Sequence, residues 1–230
     1  MVMTNAQVTA LQYGLIGFFA LWATVLIPQL IVLHARHGRV RLRPVLTMAA
    51  VLLYGTMTLA VTFLPLPGPG VKRLSQTVQL HPFQWVADIH TELLKHGLPM
   101  AGWFTTQTFQ QATMNVLLFV PLGFFARTLW KRGLIGTTLI GLAASLLIEI
   151  TQLTANFGTA PYVYRIFDVD DLLNNTGGAM LGWIAGALLL SLVRKPVPST
   201  AQVRPEVLLT AEGSLTQPLR GERVDLTQVR

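Results

Sequence analysis

The sequence contains no cysteine, which excludes disulfides, thiolate metal sites and a cysteine nucleophile together. Charge is scarce as well: 12% of the 230 residues are charged against 52% hydrophobic, and the mean hydropathy is positive. A chain of this composition cannot hide its apolar surface in one soluble core, so lipid is its natural solvent. A G-x-S-x-G nucleophile elbow and a glycine-rich phosphate loop are also missing. His34, His37, His81, His90 and His96 show no metal-ligand spacing. No internal repeat is visible, which argues against an inverted-repeat transporter. The net charge of +7 does not point to nucleic acid. The basic residues are split among turns beside apolar segments rather than gathered on one aromatic-studded face.

What is present is a set of long apolar runs. Crossing the hydrocarbon takes about 20 residues of helix, since about 30 Å must be covered at about 1.5 Å per residue. Five segments qualify: 11–33, 44–64, 113–130, 134–155 and 171–193. The expected fold class is therefore all-α, a polytopic transmembrane bundle of about five spanning helices. Pro28 and Pro121 fall inside spans and are expected to kink them. The first run has no basic residue before it and no small-x-small cleavage site after it, so it is expected to remain as a span. Arg36, Arg39, Arg41, Arg43, Arg127, Lys131, Arg132, Arg194 and Lys195 flank the spans on one side; Lys72, Arg73, Lys95 and Arg165 lie on the other. That bias predicts an N-terminus outside and a cytoplasmic C-terminus.

Three parts follow: an N-terminal helix with its basic turn over 1–43, a core over 44–193, and a polar cytoplasmic tail over 194–230. The long outer loop opens with "PLPGPG" and continues as "PFQWVADIHTELLKHG". In it Phe83, Val86, Ile89 and Leu93 recur at near-helical spacing before Gly97 and Pro99 end the run. This predicts a short amphipathic helix at the interface, serving as an anchor or as the lid of a site.

The polar residues inside the apolar runs share faces. Gly141, Ser145, Glu149 and Gln152 step by four, four and three along the fourth span. Asp171, Asn174, Asn175, Gly178, Gly182 and Gly186 do the same along the fifth. Small residues spaced by four let membrane helices approach closely, so Gly178, Gly182 and Gly186 are expected against Gly141 and Ser145. Antiparallel packing would bring Glu149 and Gln152 level with Asp171, Asn174 and Asn175, with Asn115 at a similar depth. Glu149 is the one acid inside a span away from its ends, and an uncompensated carboxylate there is costly, so it is the leading candidate for a functional group. Plainer roles compete: Asp168 or Asp170 as a helix cap balanced by Arg165, and Asn115 and Gln152 as hydrogen-bond glue between helices.

"PF" at Pro82 and Phe83, "NVLLFVPLGFF" from Asn115, "IEITQ" from Ile148 and "RIFDVDDLLNNTGGAMLG" from Arg165 occur in one order along the chain. In that order and approximate spacing the sequence resembles the VanZ-like membrane proteins over 44–193. The resemblance implies a bacterial multi-pass protein of the cytoplasmic membrane, in a family whose namesake is associated with resistance to the glycopeptide teicoplanin. The expected site comprises Asn115, Glu149, Gln152, Arg165, Asp168, Asp170, Asp171 and Asn174. It would face outward and bind a polar cell-envelope molecule, either a lipid-linked cell-wall intermediate or a glycopeptide. Arg165 would take phosphate or carboxylate, the amides sugar or peptide, and the acids an amine or a divalent cation. Two alternatives stand beside it. One is an enzyme using those acids and a divalent cation on a lipid-linked phosphate or pyrophosphate, with Glu149 as general base; the other is a scaffold whose polar cluster only joins helices. No other cofactor is expected, and the lipid bilayer is the expected partner.

Overall fold

The computed structural model describes residues 5–68 and 73–193. Its elements are α1 (Asn5–His37), α2 (Leu42–Phe63), β1 (Val78–Gln79), α3 (Gln84–His96), a 3-10 turn (Met100–Thr105), α4 (Gln107–Thr128), α5 (Leu134–Leu153), β2 (Phe167–Asp168) and α6 (Val169–Val193). Among the described residues α1, α2, α4, α5 and α6 are long and apolar enough to cross a membrane, so the chain is an all-α polytopic bundle. Lys72, Arg194, Lys195 and the tail lie outside the described residues. Helices α1 and α4 run through Pro28 and Pro121 as single helices.

Boundaries shift where polar residues begin a span. Helix α4 starts six residues before the apolar run does, because its first turn is satisfied by side chains. Thr106 Oγ1 accepts from Phe109 N at 3.3 Å, and the Glu92 carboxylate accepts from Gln107 N at 2.7 Å and Thr108 N at 3.1 Å. An anion at a helix N-terminus is favoured by both the free N–H groups and the dipole. Burial opposes ionisation of Glu92, but the Gln107 and Thr108 N–H groups and the Thr108 hydroxyl win and hold it below the ordinary glutamate range.

Packing in the core differs from the expected arrangement. Gly178 and Gly182 of α6 lie against the Val116 and Val120 carbonyls of α4, so closely that a Cβ at either position would overlap them. Gly186 faces Arg127 and Thr128, also of α4. The contacts advance together along both chains, so α4 and α6 run parallel. Gly141 and Ser145 of α5 meet a different face of α6: a Cβ on Gly141 would lie 2.7 Å from Ala179 Cβ, and Ser145 Oγ accepts from Asn175 Nδ2 at 2.9 Å. The glycine stripe thus packs on α4, not on α5. The reason is angular: 174, 178, 182 and 186 make one row at steps of four, and 175 and 179 begin another, which an inspection of small residues alone merges.

The C-terminal end of α2 is held by residues far along the chain. Its last four carbonyls have no partner within the helix. Leu64 N donates to Ala60 O at 2.9 Å, an Arg165 guanidinium nitrogen to Val61 O at 3.3 Å, Gln152 Nε2 to Thr62 O at 3.2 Å, and the Tyr164 hydroxyl to Phe63 O at 2.9 Å. Tyr164 is steadied in turn by Asn156 Nδ2 at 2.8 Å. Asn156 sits in a left-handed turn, with φ of 51°, 53° and 55° at Ala155, Asn156 and Phe157, a backbone that costs non-glycine residues about 1–2 kcal/mol each. Tyr164→Phe keeps the ring and removes the hydroxyl, leaving the Phe63 carbonyl and the Asn156 amide without it. It is expected to lower stability by about 1 kcal/mol, read as an earlier unfolding transition in detergent titration with no change in helix content.

Candidate functional site

A cavity of about 480 Å³ opens where the C-terminal ends of α2 and α5 meet the N-terminal ends of α4 and α6. Its walls combine apolar surface from Val61, Leu118, Ile148 and Ile166 with a polar lining that includes five carboxyl side chains, Asp88, Glu149, Asp168, Asp170 and Asp171, and one cation, Arg165. All eight residues expected to form a site line it: Asn115, Glu149, Gln152, Arg165, Asp168, Asp170, Asp171 and Asn174.

Their local roles differ. Glu149, 1% exposed, accepts from the backbone N–H of Asp168 through Oε2 at 3.0 Å. This bond ties α5 to the start of α6. Asn115 Nδ2 donates to Asp171 Oδ1, joining α4 to α6, and Ser145 Oγ donates to Asp171 O at 3.4 Å. Asp168 caps α6, its Oδ1 accepting from Asp170 N at 2.8 Å. Burial pushes the Asp168 carboxyl above the ordinary aspartate range; the Asp170 N–H pulls it back, and the charges of Asp170 and Asp88 add to the rise. Gln152 and Arg165 each spend a donor on the end of α2. Asn174 lines the cavity, and its side chain makes no hydrogen bond among the described residues.

Asp170 is spent on architecture. It is buried, and its two oxygens accept from Phe83 N at 2.5 Å and Trp85 N at 3.1 Å. These N–H groups belong to the residue before α3 and to its first turn; the helix has no cap of its own, since Phe83 at the N-cap makes no side-chain bond there. The parallel pair Val78↔Phe167 and Gln79↔Asp168 ties the same loop to the start of α6 a second time. Helix α3 is therefore fixed over the cavity, and Trp85 and Asp88 line it. Of the apolar stripe expected on α3, Ile89 and Leu93 are buried, whereas Phe83 and Val86 are exposed. The inward row is Trp85, Ile89 and Leu93, at steps of four; Phe83 precedes the helix at φ 63° and does not follow its periodicity.

Beside the residues expected from the sequence, Trp85, Asp88, Thr108 and Gln111 also line the cavity, and the sequence reading left them out. Trp85 and Asp88 lie three apart on one helix face, in the helix that follows the "PF" pair, which was the available signal. The basic residues of the 36–43 and 127–132 turns lie at the other end of the bundle. There Arg127 stacks on Trp183 with 5.0 Å to the ring centroid, and Trp183 Nε1 donates to Arg132 O at 2.9 Å.

A family model described as VanZ/LLP1 matches residues 51–191, more than half of the chain. No curated protein and no solved structure matches the chain.

Proposed function

We infer, from the premise that the chain belongs to the VanZ/LLP1 family and from the chemistry of the cavity, that this membrane protein binds a polar, positively charged part of a cell-envelope molecule. The observation that carries the inference is the lining: five carboxyl side chains and one guanidinium in a cavity at the end of a membrane bundle. Five carboxyl side chains against one guanidinium leave negative charge in excess, so a cation is the natural occupant. Residues Arg36, Arg39, Arg41, Arg43, Arg127, Lys131 and Arg132 lie at the opposite end, and the positive-inside bias therefore turns the cavity to the outer face of the cytoplasmic membrane. An amine-bearing lipid-linked cell-wall intermediate, or a glycopeptide of the teicoplanin kind, has the required chemistry. Glycopeptide resistance would follow if the occupant were the drug or its cell-wall target.

The enzymatic alternative draws less support. It requires acids converging on one ion, and among the described residues no three His, Asp or Glu side chains form such a group. The test uses Glu149→Gln combined with Asp171→Asn, which keeps both side-chain shapes and an acceptor for Asp168 N. At normal protein level the double variant is expected to bind its envelope molecule at least about tenfold more weakly, the cost of one lost charge-assisted contact, and to leave the envelope phenotype of a deletion strain uncorrected. Full correction by the double variant would refute the inference, and disappearance of the protein from the membrane would mark the cluster as structural.

A further inference from the structure

We propose that a groove between α2 and α4, at the basic end of the bundle, holds one acyl chain of an anionic phospholipid with the lipid phosphate on Arg43. The groove encloses about 490 Å³ and is separate from the acidic cavity at the far end. Arg43, Leu46 and Ala50 line it from α2 at steps of three and four, and Phe125 and Leu129 line it from α4. Tyr54, four residues further on the same face, joins the two helices beyond it. Its hydroxyl donates to Leu118 O at 3.0 Å, and its ring meets Phe125 edge-on with centroids 5.7 Å apart, so the groove ends there. Leu46 and Ala50 are exposed, and the groove therefore opens sideways into hydrocarbon and not into the core. From Arg43 to Ala50 it runs about 10 Å along α2, most of the roughly 15 Å of hydrocarbon in one leaflet.

Charge decides the headgroup. Arg43 is exposed, and its guanidinium has no hydrogen-bond or ion-pair partner among the described residues. Arg36, Arg39 and Arg41 precede it in the same turn. The first turn of α2 carries no acid and no side-chain cap, so the helix dipole adds to this positive field. Every acid among the described residues, Asp88, Glu92, Glu149, Asp168, Asp170 and Asp171, belongs to the other end. The sequence over 196–230 supplies no net counter-charge, since it balances four acids against four arginines. A guanidinium at the head of an apolar groove in a membrane matches a phosphate whose charge is not cancelled within its own headgroup and which is carried on a hydrocarbon chain. Phosphatidylcholine has the phosphate and the chain, but its trimethylammonium would meet the arginines. A soluble anion would leave the groove unfilled, and a purely apolar chain would leave Arg43 unused.

The full-length protein in detergent is titrated with dioleoylphosphatidylglycerol or dioleoylphosphatidylcholine, and the first lipid adduct is followed by native mass spectrometry. The anionic lipid is expected to bind at least about tenfold more tightly; equal affinity overturns the proposal. Arg43→Gln is expected to remove that preference. Ala50→Phe, which changes no charge but fills the groove, is expected to weaken binding of the anionic lipid about tenfold. Arg36→Gln removes an equal charge outside the lining and should change binding by less than about threefold. Unchanged binding in Arg43→Gln or in Ala50→Phe, or an equal loss in Arg36→Gln, would show that the basic surface attracts lipid without the groove, and would overturn the site. A protein dimer that Ala50→Phe dissociates while the lipid adducts persist would assign the groove to a second copy of the chain, and that too overturns it. Arg43 and Ala50 are both exposed, so neither substitution disturbs the core. The comparison of the two lipids on wild type decides by itself if a variant does not fold.

Discussion

Gly182→Leu is expected to abolish the folded protein, and Gly182→Ala to weaken it by about 1–3 kcal/mol, the usual cost of overpacking a close contact. A Cβ at 182 would overlap the Val120 carbonyl of α4 and lie 2.9 Å from Phe124 N. Neither is the movable end of a side chain, so the two helices must separate. Separation would loosen the neighbouring Gly178 contact with Val116 and the reciprocal one in which Gly123 meets Ala179 O. Gly177, five residues before, is the control: nothing lies within 4 Å of a Cβ there. Gly177→Ala should be neutral or gain up to about 1 kcal/mol from helix propensity. Fluorescence-detected size exclusion after graded heating separates the two outcomes. Equal behaviour of Gly177→Ala and Gly182→Ala would refute the assigned helix contact.

Asp170→Ala is expected to free α3 without unfolding the bundle. The substitution deletes both acceptors for the Phe83 and Trp85 N–H groups, each a charge-assisted bond of about 1.5–3 kcal/mol. It removes no contact between α4 and α6. Hydrogen exchange across 84–96 should therefore speed up by at least about tenfold, which corresponds to about 1.4 kcal/mol, while exchange in α5 and α6 stays within error. Asp170→Asn keeps one oxygen and should fall between. Unchanged protection of α3 would show that the β1–β2 pair and the Ile89–Leu93 packing hold the helix unaided. Global loss of protection would show that Asp170 supports the core instead.

The parts of this molecule legible in its sequence are those governed by local rules. Hydropathy placed five spans within a few residues of the helix ends, apart from the starts of α1 and α4, each of which begins six residues before its apolar run; the polar first turn of α4 is carried by Thr106 and Glu92. Helical periodicity brought Glu149 toward Asp171 and set Asn115 at their depth. What escaped depends on pairings no local rule supplies. Asp170 read as a ligand or a cap of its own helix, yet it caps α3, 85 and 87 residues earlier. Gln152 and Arg165 line the cavity as expected, and each also donates to a carbonyl at the end of α2, a pairing no spacing in the sequence announces. The glycines were recognised as packing residues and assigned to the wrong neighbour, because two adjacent rows on α6 differ by one position in the sequence. Acids and amides near a membrane surface serve both architecture and recognition, and only the identity of the partner separates these uses.

The end of α2 also imposes an order on biogenesis. Its carbonyls at 61, 62 and 63 wait for donors that lie 104, 90 and 101 residues later in the chain. At common translation rates the ribosome needs roughly 5 to 20 s to make that stretch. Throughout this interval the α1–α2 hairpin can be threaded into the bilayer, but one end of it stays hydrated. The residues that complete the opposite end, Gly182 and Gly186 against α4 and Trp183 on the Arg132 carbonyl, are made later still, so both ends of the core wait for residues beyond position 150.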